Sequence, residues 1–425
     1  MIRPFDRFSR HPVKTNAVAA TGLRVGVAQM TRFASCTNGS STRGRATGEG
    51  IHALSNCDSK STLRHVAFAS VACTTRVIFQ PFQEIILTNR RTILEAVGGL
   101  ALAALPFASA LAEPTSLKIS HQFPGGTLTT GDFRDRLVRR FAAEVEKRSK
   151  GALKFDIYPG SSLMKTNAQF SAMRKGALDM SLFPVSYAGG EVPELNIGLM
   201  PALVVSYEQA YGWKNKPVGA ELSRVLLDKG IVMVSWIWQA GGVASRNKPI
   251  VEPEDAKGLK IRGGSREMDM ILKDAGAAVV TLPSNEIYAA MQTGAMDAAM
   301  TSSTSFISFR LEEVAKALTT GRNGAYWFML EPLLMSKAIF DKLPQDQRDT
   351  IMAVGAEMEK FALEEAKKDD VDVAAVYQKA GAKVVDLSPA TIKKWQDIAR
   401  KTAWKDYGAK NEGCAKLLAL AQQTL

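Results

Sequence analysis

Pro253-Glu254-Asp255-Ala256-Lys257-Gly258-Leu259-Lys260-Ile261-Arg262-Gly263-Gly264-Ser265 is the stretch on which the reading of this chain turns. Lys260–Arg262 reads as a short strand, Gly263-Gly264 turns the backbone, and a helix carrying Met268, Ile271 and Leu272 follows. A strand, a glycine turn and a helix in succession form the repeating unit of an α/β fold. The same alternation runs outward in both directions. Downstream, Val279–Leu282 reads as a strand and Asn285–Thr293 as a helix capped by Ser284 and stopped at Gly294. Ala298–Met300 reads as a short strand leading into a helix through Phe309 and Val314. Upstream, strands are expected at Leu117–Phe123, Leu153–Tyr158, Leu178–Phe183 and Ile231–Trp238. Helices lie between them, the first with Phe133, Leu137, Phe141 and Val145 at i, i+4 spacing.

From Pro344 the helical signal continues unbroken to Gly381, with Ile351, Val354, Met358 and Phe361 along one stripe. A helix of that length suggests an element spanning two lobes. A strand at Val384–Leu387 and a helix with Trp395 and Ile398 close the chain. The expectation is an α/β protein of two lobes, with crossings near Ser235–Gln239 and Ala298–Thr304 and a hinge-bending closure over the shared cleft.

Counting narrows the function. The 425 residues hold 54 Lys+Arg against 42 Asp+Glu, a net charge of +12. Residues 1–112 carry 13 basic and 5 acidic side chains, so only +4 belongs to the rest. A nucleic-acid reading of the whole chain loses its support there. His11, His52 and His65 are early and only His121 lies beyond; Cys36, Cys57 and Cys73 are early and only Cys414 lies beyond. One His and one Cys assemble neither a zinc site, nor a Ser-His-Asp triad, nor a disulfide framework. No metal or cofactor is expected.

Asn89-Arg90-Arg91-Thr92-Ile93-Leu94-Glu95, an apolar run from Ala96 to Phe107 and then Ser109-Ala110-Leu111-Ala112 follow the order of a secretory signal. Residues 87–112 are read as a signal peptide cleaved after Ala112, with an Arg pair that resembles a twin-arginine signal. Residues 1–86 are read as a spurious or disordered leader. The expected divisions of the remainder are 113–236 for lobe I and 237–300 for lobe II. Residues 301–425 are expected to supply the hinge return, the long bracing helix and C-terminal helices completing both lobes.

Two glycine pairs precede helix starts, Gly125-Gly126 after Gln122 and Gly263-Gly264 after Arg262. Helix N-termini and bare backbone suit anions, although a tight turn explains Gly125-Gly126 as well. Arg262 stands at the C-terminal end of a strand, the edge where α/β sheets bind ligands. Its guanidinium either holds a carboxylate or sulfonate through two parallel hydrogen bonds or makes a surface salt bridge. Trp236, Trp238, Gln239, Ser284 and Thr301–Ser305 gather aromatics and hydroxyls at other strand ends, as a small polar ligand requires. The tryptophans read equally as core between the lobes, and Thr301–Ser305 as a helix cap and solvated loop. Trp327, within Ala325-Tyr326-Trp327-Phe328, either walls the cleft or packs. Glu286, Asp297 and Glu331 do not pair at a spacing that suggests acid–base work.

The run Pro253–Arg262 resembles the central signature of the solute-binding receptors of TRAP transporters, the tripartite ATP-independent periplasmic carriers (DctP type). Gly276-Ala277, Glu286-Ile287-Tyr288-Ala289-Ala290-Met291-Gln292-Thr293-Gly294, Ile157-Tyr158-Pro159-Gly160, Met200-Pro201 and Asp341-Lys342-Leu343-Pro344 extend the match over about 115–420. The resemblance implies a two-lobed periplasmic binding protein, α/β in class, with a long C-terminal helix bracing both lobes. It implies a monomeric receptor, not an enzyme, that binds a small organic anion and delivers it to small and large membrane subunits. It implies that Arg262 binds the ligand carboxylate.

Three departures bear on the substrate. Ser284 stands where the family often has a large apolar residue, and Thr301 stands where it has a ligand-contacting Asn. A second Arg of sialic-acid receptors is replaced near Ala240. A small hydroxylated carboxylate or sulfonate suits this lining. The expected ligand-binding set is Arg262, Trp238, Gln239, Ser284, Thr301, Ser302, Gln122 and Trp327. An exported enzyme on the same scaffold is the alternative, and a sensory module a third.

Overall fold

The computed structural model describes residues 113–425. The segments read above as leader (1–86) and signal peptide (87–112), with the early His and Cys residues, lie outside these. The chain builds two sheets from alternating strands and helices. The first sheet has five strands in the order β2-β1-β3-β11-β4. They are β1 (Thr115–Ser120), β2 (Leu153–Tyr158), β3 (Met180–Leu182), β4 (Ile231–Ser235) and β11 (Leu333–Ser336). β1 pairs in parallel with β2 and β3, whereas β11 runs antiparallel to β3 and β4.

The second sheet has seven strands in the order β12-β9-β5-β8-β6-β7, with β10 also paired to β5. They are β5 (Trp238–Ser245), β6 (Lys260–Arg262), β7 (Ala278–Val279), β8 (Ala298–Ser302), β9 (Ala317–Thr320), β10 (Phe328–Leu330) and β12 (Lys383–Asp386). The helices include α1 (Phe133–Arg148), α2 (Pro217–Asp228), α3 (Arg266–Asp274), α4 (Ser303–Ser308), α5 (Gln345–Lys379) and α6 (Pro389–Ala399).

The expected strand Ile231–Trp238 is two strands in different sheets, separated by Trp236 and Ile237. That is the first crossing. The second is not at Ala298–Thr304. β8 lies wholly within the second sheet and runs straight into α4. The chain returns instead at Glu331-Pro332, between β10 and β11. The two crossings lie side by side, because β10 pairs with β5, β11 pairs with β4, and the Glu331 N–H donates to the Ile237 carbonyl at 2.8 Å. A two-stranded antiparallel ribbon therefore joins the sheets. β9, β10 and β11 carry no period-two pattern because all their residues are buried.

α5 is the long brace expected from Pro344 and Gly381. Ile351, Val354, Ala362 and Ala366 pack into the core of the first sheet with Leu117, Phe141 and Leu333. Val373 and Tyr377, farther along, join Ile287, Phe306 and Leu318 in a core of the second sheet. A third cluster, including Trp213, Trp238, Met300 and Trp395, is continuous across strands of both sheets. No helix among the described residues is long and apolar enough to cross a membrane.

Gly355 fixes how closely α5 approaches β4. A Cβ there would lie 2.3 Å from the Val234 carbonyl oxygen, part of a strand backbone that cannot move aside. Gly355→Ala should therefore destabilise the protein by ~1–3 kcal/mol through overpacking, although alanine in an open helix would gain about 1 kcal/mol. Urea unfolding of the two proteins decides; a more stable alanine variant would contradict the close approach.

Candidate functional site

Arg262 ends β6 and is wholly buried. Its Nε donates to the Leu282 carbonyl at 3.1 Å, Nη1 to the Met300 carbonyl at 2.7 Å, and Nη2 to the Tyr187 hydroxyl at 2.6 Å. All three acceptors are neutral oxygens, so this is not a surface salt bridge. A guanidinium has five N–H groups, and these bonds leave one over on each terminal nitrogen. Gly264, with φ +100°, is required beside it, since a Cβ would lie 2.8 Å from Nη1.

Ser284 sits next to this group. Its backbone N–H donates to the same Tyr187 hydroxyl at 3.1 Å. Its side chain does not cap the following helix, contrary to the sequence expectation. The Ser284 hydroxyl and that of Thr301, which follows Met300, are buried and without a hydrogen-bond partner among the described residues. Trp327 donates its indole N–H to the Gly263 carbonyl at 3.0 Å and so packs against the turn that follows Arg262. Its ring also lies 2.5 Å from where a Cβ on Gly241 would stand. The structure thus gathers Arg262, Ser284, Thr301 and Trp327.

Gln239 and Ser302 belong to a different centre. Arg134, in the first turn of α1, is wholly buried and holds Asp132 with Nε at 2.9 Å and Nη2 at 2.7 Å. Nη1 reaches Glu331 at 3.1 Å and the Ser302 hydroxyl at 3.4 Å, while Nη2 reaches Ser305 at 3.1 Å. Gln239 donates its amide to Glu331. Ser302 caps α4 by accepting from the Ser305 N–H at 3.2 Å. It is buried, so Thr301–Ser305 is not a solvated loop. Burial works against the Arg134 charge, but Asp132 and Glu331 outweigh it and hold the guanidinium above its ordinary pKa. Burial pushes the Glu331 carboxyl up, with Arg134 acting against it.

Trp238 packs edge-on to Trp213, with ring centroids 5.3 Å apart, and belongs to the core. Gln122 follows β1, with both amide atoms buried and unpartnered among the described residues, and no described hydrogen bond ties it to Arg262. The sequence reading missed Tyr187 and Arg134, and it took Glu331 only as a carboxylate without an acid–base partner, not as the partner of Arg134. Asp132-x-Arg134 at a helix start was the only local hint of an ion pair; Tyr187 follows β3 in a turn that carries no motif.

A family model, DctP, bacterial extracellular solute-binding protein, family 7, matches residues 126–411. The chain belongs to this family. A solute-binding protein of Albidiferax ferrireducens is 85% identical over 337 residues, which are 79% of this chain and 100% of the relative. The crystal structure of a TRAP periplasmic solute binding protein from Rhodoferax ferrireducens, with bound malonate, is 89% identical. It covers 72% of this chain and 98% of its own, with a TM-score of 0.72. The C4-dicarboxylate-binding periplasmic protein DctP of Rhodobacter capsulatus is 26% identical over 73% of this chain and 92% of its own. As a family 7 protein the chain is a periplasmic solute receptor of the TRAP type.

In this receptor the lobe junction carries a further buried acid. Asp370 of α5 accepts from the Tyr207 hydroxyl at 2.7 Å, and that hydroxyl accepts from the Ala240 N–H at 3.2 Å. Burial pushes the Asp370 carboxyl up to about 7 from an ordinary 3.8. The folded state therefore binds this proton more tightly than the unfolded state between those values. Its contribution is fully present below the lower one and lost as pH rises through the upper. Asp370→Asn, which keeps an acceptor for Tyr207, should gain on wild type as pH climbs from 4 to 8, reaching on the order of 3 kcal/mol. Parallel urea curves for the two proteins across that range would refute this.

Proposed function

We propose that this receptor captures a short organic acid by its carboxylate, with Arg262 as the anchor and Ser284, Thr301 and Trp327 around it. The observation that carries the reading is the Arg262 guanidinium itself. It is a full positive charge, buried, bonded only to neutral oxygens, and left with one N–H on each terminal nitrogen. A carboxylate matches that pair of donors with two parallel hydrogen bonds. Two adjacent hydroxyls without partners supply neutral hydrogen bonding for the remainder of the ligand. The 89% identical receptor holds malonate, which favours a small acid over a sugar acid. The named relatives are solute receptors, which supports binding and delivery over the alternative of an exported enzyme. Gln239, Ser302 and Trp238 are assigned to the lobe junction and core instead of the ligand.

Malonate calorimetry tests the anchor. Arg262→Ala should weaken binding by ~2–5 kcal/mol, because a desolvated carboxylate loses its partner. That is roughly 30- to several-thousand-fold in Kd. Arg262→Lys should rescue in part only, since an ammonium lacks the fork. Folding is not spared as a solvent-facing Arg262 would allow: the side chain is buried and binds two carbonyls, so the alanine variant should also melt at a lower temperature. Binding within about threefold of wild type, less than ~0.7 kcal/mol, would remove Arg262 from the site.

The same reading places the mature receptor outside the cytoplasm after loss of residues 87–112. Intact-mass measurement of the exported protein should give a chain beginning at Glu113. A mature chain that retains residues 1–86 would overturn this export reading.

A further inference from the structure

We infer that the Tyr187 hydroxyl is an internal competitor of the solute: it occupies the Arg262 guanidinium from the opposite lobe and must leave before a carboxylate binds there. This rests on Arg262 being the carboxylate anchor. Arg262 is wholly buried and lines none of the described cavities, so in this arrangement no solute reaches its remaining N–H groups. One of the groups enclosing it has to withdraw first.

The three acceptors around the guanidinium differ in how readily they can leave. Leu282 and Met300 offer main-chain carbonyls from the same lobe as Arg262. Met300 belongs to β8, the hydrogen-bonded neighbour of β6, so withdrawing its carbonyl would take the sheet apart. Tyr187 lies in the connection that follows β3 of the first sheet and reaches Arg262 with a side chain. It withdraws by turning that side chain or by parting of the lobes, and no strand pairing is broken.

The Tyr187 oxygen also stands where donors for an anion converge. Arg262 Nη2 donates to it at 2.6 Å and the Ser284 N–H at 3.1 Å. A charged and a neutral N–H meeting at one oxygen make their strongest hydrogen bonds when that oxygen is ionised. A neutral phenol meets the demand in part; a carboxylate brings the missing charge and a second oxygen. Exchange of phenol for carboxylate is therefore favourable, but its gain is reduced by the bonds that Tyr187 gives up.

The phenol has space to move into. Tyr187 is half-buried and lines a cavity of about 520 Å³, bordered from the other lobe by Gly264, Asp269 and Leu282. Phe183 supports one edge of the ring, with centroids 6.1 Å apart. Gly189-Gly190 follow, and a Cβ on Gly190 would meet nothing within 4 Å, so the chain beyond Tyr187 is unobstructed there.

Solute affinity is lowered by the fraction of molecules in which Tyr187 holds the anchor. Tyr187→Phe keeps the ring and removes the oxygen, so malonate should bind about tenfold more tightly, because a hydrogen bond to a charged group no longer has to be given up. A hydroxyl that touched the solute, or only supported the site, would move the affinity the other way.

Calorimetry and stopped-flow tryptophan fluorescence with malonate, on mature wild type, Tyr187→Phe and Arg262→Ala, test this. The wild-type observed rate should level off as malonate rises, since withdrawal of Tyr187 precedes binding, and the plateau should be about tenfold higher in Tyr187→Phe. Tyr187→Leu, which also lacks the oxygen, replaces the phenylalanine variant if that one gives no cooperative melt. Equal or weaker malonate binding by the variant without the oxygen, while Arg262→Ala abolishes binding, overturns the inference and leaves the anchor standing. Malonate binding that survives Arg262→Ala removes the anchor, and the inference falls with it. Failure of both the wild type and Tyr187→Phe to bind malonate overturns it as well.

Discussion

Arg134 is the residue on which the two-lobed arrangement depends. It is a single guanidinium, fully buried, that ties the start of α1, the returning crossing at Glu331 and the start of α4. It also stacks 3.6 Å above the Phe123 ring. Three elements distant in sequence are thereby brought to one point, beside the paired ribbon that joins the sheets. Removing one partner of such a buried pair typically costs ~3–5 kcal/mol, because the other charge is left without compensation. The cluster holds one cation against two carboxylates, and burial raises Glu331 accordingly. Gln239 and Ser302 are polar at this junction because the junction needs them, and they complete its hydrogen bonds.

Arg262 differs from Arg134 in one respect that decides its use. Both are buried, but Arg134 meets carboxylates and Arg262 meets carbonyls and a phenol. Carbonyl dipoles orient a guanidinium without cancelling its charge. The nearby carboxyl that feels it, Asp269, is pushed up to about 6 by burial, with Arg262 working against that rise. A buried positive charge without an ionic partner is costly, and an incoming anion relieves that cost. The same residue type is thus held by carboxylates at the lobe junction in one place and by neutral oxygens alone in another.

Much of this was legible in the chain. The strand at Lys260–Arg262, the glycine turn after it, and the helix carrying Met268 and Ile271 stand where the local pattern puts them. So does the 35-residue helix α5, since its stripe, its preceding Pro344 and its terminating Gly381 are all local signals. Local signals failed where burial is complete on both faces. β9, β10 and β11 have no alternation to read, and Ile231–Trp238 looked like one strand because the bend at Trp236 and Ile237 is as apolar as its flanks.

The sequence by itself determined the α/β class, the bracing helix and the placing of an arginine at the C-terminal end of a sheet strand. Each follows from residue type and spacing over a dozen positions or fewer, or from one unbroken period. Only the tertiary structure decided which polar residues keep company. Arg134 and Glu331 are 197 positions apart, and Tyr187 and Arg262 are 75 apart. A hydrogen bond acts over about 3 Å, and which distant residues come that close is settled by the packing of whole sheets and helices. That is why Ser284 and Thr301 stay near Arg262 while Gln239 and Ser302, read from the chain as their equals, join the Arg134–Glu331 pair at the lobe junction.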